Sequence, residues 1–395
     1  MIKRKKKNKE HNPFYDPTLK KRHVSAKRFK KFTLTSLIFS VAFLAFFLFD
    51  MIGKGLPAFN IAYIKIDVTF NEKTLEDTRF AVPTEYRNLV SRAALRDLPK
   101  LLEENPTYMN STQNIWILAS SQVDQYIKNH NHNLKDKDIA KVDELYAQGL
   151  IDKKFNAIFF ENGDSKIPEY AGIFSAVIGS ILTLIITMAV AFPIGVMTAI
   201  YLEEFAGDNK FTRFIEININ NLAAIPSILF GLLGLAIFIN LFGMPRSSPL
   251  VGGLTLALMT LPIIIVSSRA ALRAVPDSIR QAGYGLGLNK IQVTRDHVLP
   301  LAFPGIMTGS IIGLAQAMGE TAPLIIIGMI AFIPDAPSMV TQAATVMPAQ
   351  LFTWAGMPEG MYIEKTAAGI LVLLTILISL NAIAIYLRKK FEVKW

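Results

Sequence analysis

Apolar residues in this chain collect in long unbroken blocks instead of alternating with polar ones, and block length decides what each block is. Phe32 to Ile52 is interrupted only by Asp50; at 1.5 Å per residue it reaches roughly 30 Å, enough to cross a bilayer. Five more blocks follow, over 171–202, 222–243, 250–271, 300–333 and 366–387. The pattern predicts an all-α polytopic membrane protein with six transmembrane helices. Residues 53–170 have a different character, with 15 Lys and Arg, 17 Asp and Glu, and no long apolar block. They predict a small water-soluble α/β insert: Ile61–Phe70 alternates as a strand, Thr84–Leu102 has helical spacing at Leu89, Ala93 and Leu101, and Phe155–Phe160 is a further strand candidate. Phe211–Asn221 mixes Phe and Ile with Glu and Asn and reads as an interfacial elbow.

Composition agrees: 51% of the 395 residues are hydrophobic and 18% charged, which excludes an ordinary soluble protein. The absence of cysteine removes disulfides and thiolate-built metal sites. The net charge of +10 is concentrated at the start, where residues 1–31 hold 13 basic and 2 acidic side chains. Such a tail suits a cytoplasmic flank, with Lys3–Lys7 able to meet anionic membrane lipid, better than a nucleic-acid surface. Lys and Arg number 24 over the tail, the 203–213 and 269–299 loops and residues 388–395; the two short opposite loops hold only Arg246 and Lys365. Both termini are therefore expected in the cytoplasm and the insert on the opposite side of the membrane. Gly53-Lys54-Gly55-Leu56-Pro57 directly follows the first block, so an uncleaved anchor is expected there. The expected division is a basic tail 1–31, an anchor 32–52, an insert 53–170 and a membrane domain 171–395.

The longest cytoplasmic loop, 276–299, is punctuated as two helices around a glycine corner. Pro276 and Asp277 suit a helix start, Gly285 and Gly287 a turn, and Asn289 a second cap, with Pro300 as the limit. Ile279, Ala282, Leu286 and Leu288 offer an apolar side, and Arg280, Lys290 and Arg295 are expected to face water or an acidic partner. Gln281-Ala282-Gly283, Gly287 and Leu299-Pro300 stand at the spacing of the EAA signature, so the chain resembles the permease subunits of ABC importers. Gln281 replaces the signature acid, Gly283 its alanine and His297 its isoleucine. Ala199-Ile200-Tyr201-Leu202-Glu203-Glu204, Ile225-Pro226-Ser227-Ile228-Leu229-Phe230-Gly231-Leu232 and Gly319-Glu320-Thr321-Ala322-Pro323-Leu324 narrow the resemblance to the second permease type of the phosphate importer. It implies a type I importer permease core and coupling through Gln281, Ala282, Gly283, Gly287, Leu299 and Pro300. It further implies a second permease subunit, ATPase subunits that carry ATP and Mg, and an extracytoplasmic phosphate-binding protein. This chain has no phosphate loop of its own, so neither catalytic residues nor a bound cofactor is expected.

In the fifth block Gly305, Gly309, Gly313 and Ala317 recur every four residues, leaving a helix face that another helix can approach closely. Glu320 continues that stripe, and Pro323 cannot donate to the carbonyl of Gly319, so a bend is expected at Glu320 and Thr321. A carboxylate at that depth costs about 2.5–3.5 kcal/mol or more and belongs against protein or a water-filled path. Gln316, Glu320, Thr321, Arg269 and Ser227 are the translocation-pathway candidates; Gln316 stands where similar permeases carry an arginine. Pro193, Pro226, Pro262 and Pro323 offer hinges. Permeases for sulfate or molybdate, and an ion-coupled secondary transporter using Glu320, fit the same residues. His130 and His132 lack a third ligand at fixed spacing and read as loop histidines, so no metal site is expected. Asn110-Ser111-Thr112 matches a glycosylation acceptor by chance.

Overall fold

The computed structural model describes residues 18–391, so Lys3–Lys7 lie outside the described residues. The chain divides into two units, Met1–Gly53 and Lys54–Trp395. The first is described from residue 18 onward, and its helix, Leu19–Gly55, begins well before the apolar block, in the Lys- and Arg-rich stretch. Its apolar side chains are exposed, Phe39 at 72% and Phe49 at 78%. Thr33, Thr35, Ser36 and Ser40 donate their hydroxyls to carbonyls one turn back, which satisfies them in a medium without water.

The second unit opens with an antiparallel sheet of order β2-β1-β3. The central strand β1, Asn60–Phe70, carries the predicted alternation: Ala62, Ile64, Ile66, Val68 and Phe70 all point into one core with Leu89, Leu95, Val123, Val142 and Leu145. Strand β2, Ser111–Leu118, pairs Ile64 with Ile117 and Val68 with Gln113. The strand predicted over Phe155–Phe160 is corrected: β3, Ile151–Phe155, stops where the prediction begins, and Ala157–Glu161 is helical. Asn156 makes the switch, accepting from the Phe159 amide and donating to the Ala58 carbonyl. The helix predicted over Thr84–Leu102 is two short ones, Arg92–Arg96 and Leu98–Glu104, started by a Ser91 cap and by Pro99.

Among the described residues five helices are long and apolar enough to cross a membrane, or up to six if one bent pair is counted as a span. Four belong to the second unit, at Phe174–Phe205, Pro249–Arg273, Lys290–Gly319 and Gly360–Lys390. The bent pair is the elbow, helix Lys210–Ala223, followed at 104° by Ser227–Leu241. Pro226 sits at the corner and disfavours helical geometry in the residue before it. Pro193 and Pro262 lie inside helices, as does Pro304, whereas Pro226 caps one helix and Pro323 starts another.

The Pro249–Arg273 helix is the hub, packed between Phe174–Ile200 and Leu299–Gly319. The small-residue face works as its spacing implies: a Cβ on Gly305 would meet Ala271 at 2.6 Å, one on Gly309 would overlap Ser267, and one on Gly313 would touch Ile264 at 3.5 Å. The fifth block is corrected at its end. Its helix stops at Gly319, Glu320 is extended (φ −76°, ψ 126°), and a five-residue helix, Ala322–Ile326, follows. The missing amide of Pro323 thus ends the helix instead of bending it. Pro300 does not limit the second cytoplasmic helix either; a π turn, Thr294–Val298, precedes Leu299-Pro300 and carries the chain on as one run from Lys290 to Gly319.

Candidate coupling knob and membrane break

Helix Asp277–Gly285 ends in a left-handed residue, Gly287 at φ +80°. The Gly287 amide donates to the Tyr284 carbonyl at 2.9 Å and the Leu288 amide to Gly283 at 3.1 Å, closing the helix end as a C-cap should. Gly285, also expected in the turn, stays helical. Two residues later Asn289 and Gln292 form a capping box, each side chain accepting from the other's amide at 2.9 Å. The two helices touch at Gly283, where a Cβ would stand 2.8 Å from a Val293 methyl. The alanine of the signature would push Val293 away, so glycine here is a packing requirement.

This corner turns an apolar surface outward. Leu286 is 79% exposed, and Gln281, Ala282, Tyr284, Ile291 and Pro300 are exposed around it. Ile279 and Leu288 do not share that face; they pack inward with Leu299 against Val275, Val293 and Val298. Arg280 also departs from expectation. Its Nη2 donates to Glu204 Oε1 at 2.6 Å and to the Leu272 carbonyl at 3.0 Å, and Nη1 donates to the Val275 carbonyl at 2.8 Å. The Glu204 carboxylate holds the guanidinium pKa above its usual value. Arg280 therefore fixes the knob to the end of the second membrane helix instead of facing a partner. Arg295 pairs with Asp296 at 2.6 Å, and the Lys290 ammonium lies over the Phe205 ring at 5.6 Å.

Arg269 is likewise removed from the pathway candidates. Its Nη2 donates to Glu216 Oε1 at 2.5 Å and its Nε to Glu203 Oε2 at 3.3 Å, while Arg273 holds Glu203 Oε1 at 2.8 Å. Ser267 faces Gly309, so Arg269 lies near the start of the fifth span, roughly 15 Å or more along the helix from Glu320. Glu203, Glu204 and Glu216 were not singled out from sequence; the adjacent Glu203-Glu204 pair at the end of an apolar block was the available signal.

At the membrane break, Gly231 abuts Pro323, with a virtual Cβ 2.7 Å from the Pro323 Cα. Ser227 starts that helix one turn earlier, and Ser227, Thr321 and Glu320 are each half-buried. Gln316 and Gly319 are exposed. Among the described residues the Glu320 carboxylate has neither a hydrogen bond nor an ion pair, consistent with an unfinished surface.

A third polar cluster joins the insert to the last helix, Gly360–Phe391. Lys128 bridges Asp124 and Glu364, each at 2.7 Å, and Gln125 donates to Glu364 at 2.6 Å. Lys365 is helical and 1% exposed, not a loop residue, and gives its ammonium protons to the Ala171 and Glu169 carbonyls at 2.6 and 3.2 Å. His130 stands 3.5 Å from Glu364 and His132 packs edge-on to Tyr126; among the described residues no group of three or more metal-ligating side chains forms.

The knob, the glycine-faced helix and the membrane helices from Pro249 onward fall within one recognised sequence family, described as binding-protein-dependent transport system inner membrane component, which matches residues 191–393. The chain belongs to this family. A second match, to a domain of unknown function (DUF3333), covers 16–86 and 81–136. Among similar proteins is the phosphate transport system permease protein PstA of Yersinia pestis, 30% identical over 61% of this chain and 81% of that one. PstA of Mycobacterium leprae is 36% identical over 40% of this chain and 52% of its own length. The probable ABC transporter permease YqgI of Bacillus subtilis is 33% identical over 42% and 56%. The chain thus spans about half the length of the latter two permeases. A solved chain of the inward-facing MetNI methionine ABC transporter aligns at 14% identity and a TM-score of 0.43, over 56% of this chain and 94% of that one.

Proposed function

We propose that this chain is a non-catalytic membrane subunit of an ATP-driven importer of inorganic phosphate, with a type I permease core, and that the 276–299 knob is where a separate ATPase engages it. The observation that carries this reading is the exposed corner of Ala282, Tyr284, Leu286 and Ile291, set on a glycine turn and braced from behind by Arg280. An apolar surface on a rigid mount suits a groove in a partner, because the mount passes the partner's movement on to the helices behind it. Gln281, Gly283, Gly287, Leu299 and Pro300 shape that mount. ATP and Mg belong to the partner.

In this reading the membrane carries six spans, the bent Lys210–Leu241 pair among them, with both termini cytoplasmic and residues 53–170 outside. Glu320, Thr321, Gln316 and Ser227 border a path that a second permease subunit completes, which accounts for a half-buried carboxylate without a partner among the described residues. The names of the Yersinia and Mycobacterium relatives support phosphate as the substrate, delivered by a binding protein on the outer side.

Affinity purification of the tagged chain in mild detergent tests the assembly. An ATPase and a second permease should accompany the chain, and Leu286→Glu should release the ATPase while the permease partner stays. Retention of the ATPase by that variant contradicts the docking assignment.

A further inference from the structure

We propose that a cleft on the 53–170 insert is a binding site for a tetrahedral oxyanion such as inorganic phosphate, distinct from the membrane path. The cleft, of about 340 Å³, forms where residues 87–92, 120–122 and 166–169 converge. Arg87, Arg92 and Lys166 line it together with Ser120, Ser121 and Gln122. This set combines cations with hydroxyl and amide donors, as polyanionic oxygen atoms require.

The cations are not spoken for. Among the described residues Arg92 makes no hydrogen bond or ion pair. Arg87 spends one N–H on the Val82 carbonyl at 3.3 Å and lies 5.1 Å from the centre of the Phe80 ring, leaving other donors of its fork open. Lys166 lies 5.8 Å from the centre of the Phe332 ring. The insert holds 17 acidic residues, yet Glu169 is the sole acid among the lining residues. It is 4% exposed and bonds the Ser91 side chain and the Ser121 amide. Its backbone carbonyl receives a bond from Lys365. Burial raises the Glu169 pKa, and Asp77, outside the lining, lies within electrostatic reach of Arg87. Three like charges gathered with a single, buried acid in the lining repel one another, and a bound dianion removes that cost.

That the ligand is the transported ion rests on the phosphate-import reading; the existence of an anion site does not. A headgroup phosphate of an anionic lipid shares the same chemistry, and competition separates the two sources.

The test is equilibrium dialysis of radiolabelled inorganic phosphate against the full chain in detergent, without any ATPase. Saturable binding is expected, weakened about tenfold or more in the paired variant Arg92→Gln with Lys166→Gln and retained in the paired variant Lys137→Gln with Lys153→Gln, an equal charge loss elsewhere on the insert. Displacement by short-chain phosphatidic acid but not by sulfate assigns the site to lipid; displacement by sulfate assigns it to free oxyanions. Equal affinity in the paired variant, or no saturable binding at low salt, overturns the proposal. So does loss of binding-protein capture in that variant without any phosphate binding, which makes the cleft a docking surface. Circular dichroism confirms that the variants fold. Phosphate binding that depends on Arg92 in a chain that never supports uptake leaves the cleft standing and removes the transport reading.

Discussion

Arg280 and Glu204 form a two-pronged ion pair, at 2.6 and 3.3 Å, that ties the first helix of the knob to the end of the Phe174–Phe205 helix. Glu204 is 4% and Arg280 15% exposed at the side chain. Removing one partner of so buried a pair strands the other charge, at a cost of about 3–5 kcal/mol. Arg280→Ala should therefore lower the thermal midpoint more than the exposed Arg295→Ala. It should also lower transported solute per ATP hydrolysed, because the knob then moves without the helix. A double-mutant cycle with Glu204→Gln should show coupling; additive effects would mean that the pair is not the link.

Gly283 offers a sharper test of the corner. Gly283→Ala forces Val293 to yield by a few tenths of an ångström and should reduce uptake modestly. Gly283→Val should abolish uptake, and Val293→Ala should restore activity to the alanine variant. Rescue, measured as ATP-dependent uptake, identifies the defect as packing between the two helices.

The small-residue face of the fifth span predicts an order of damage. At Gly309 a Cβ would overlap Ser267, and at Gly313 it would make ordinary contact with Ile264 at 3.5 Å. Gly309→Ala should destabilise the chain by about 1–3 kcal/mol through overpacking, and Gly313→Ala should be nearly neutral. Thermal unfolding followed by size-exclusion chromatography in detergent checks the order.

The insert should be more stable in mild acid than at neutrality. Burial pushes Glu169 above its ordinary 4.5 and Asp124 above 3.8, with Lys128 opposing the shift of Asp124. A carboxyl raised on folding keeps its proton where the unfolded chain has released it. Its contribution is complete below the ordinary value and is lost as pH rises through the raised folded value. The thermal midpoint should fall as pH rises above the ordinary carboxylate range, and Glu169→Gln should flatten that slope. An unchanged slope would exclude Glu169 as its source.

Much of this architecture was legible in the residues. Block length marked the membrane helices, and glycine, asparagine and proline punctuation located the knob, because each acts through its own backbone preference. The small-residue stripe predicted a close helix contact without naming its partner, since periodicity records a face and not what lies against it. Arg280 and Arg269 were misplaced for a related reason: their carboxylates come from segments more than fifty residues away in sequence, and only the folded chain brings them together. β2 was missed because Ser111-Thr112-Gln113-Asn114 lacks the β-branched apolar alternation that marked β1; it is held by pairing with β1, not by its own composition.

The most direct test of the account is phosphate uptake into sealed vesicles containing this chain and its permease partner, measured with and without the ATPase. Uptake should require the ATPase and ATP, and Leu286→Glu should abolish it while leaving the membrane subunits assembled. Equal accumulation in vesicles that lack the ATPase would contradict the account.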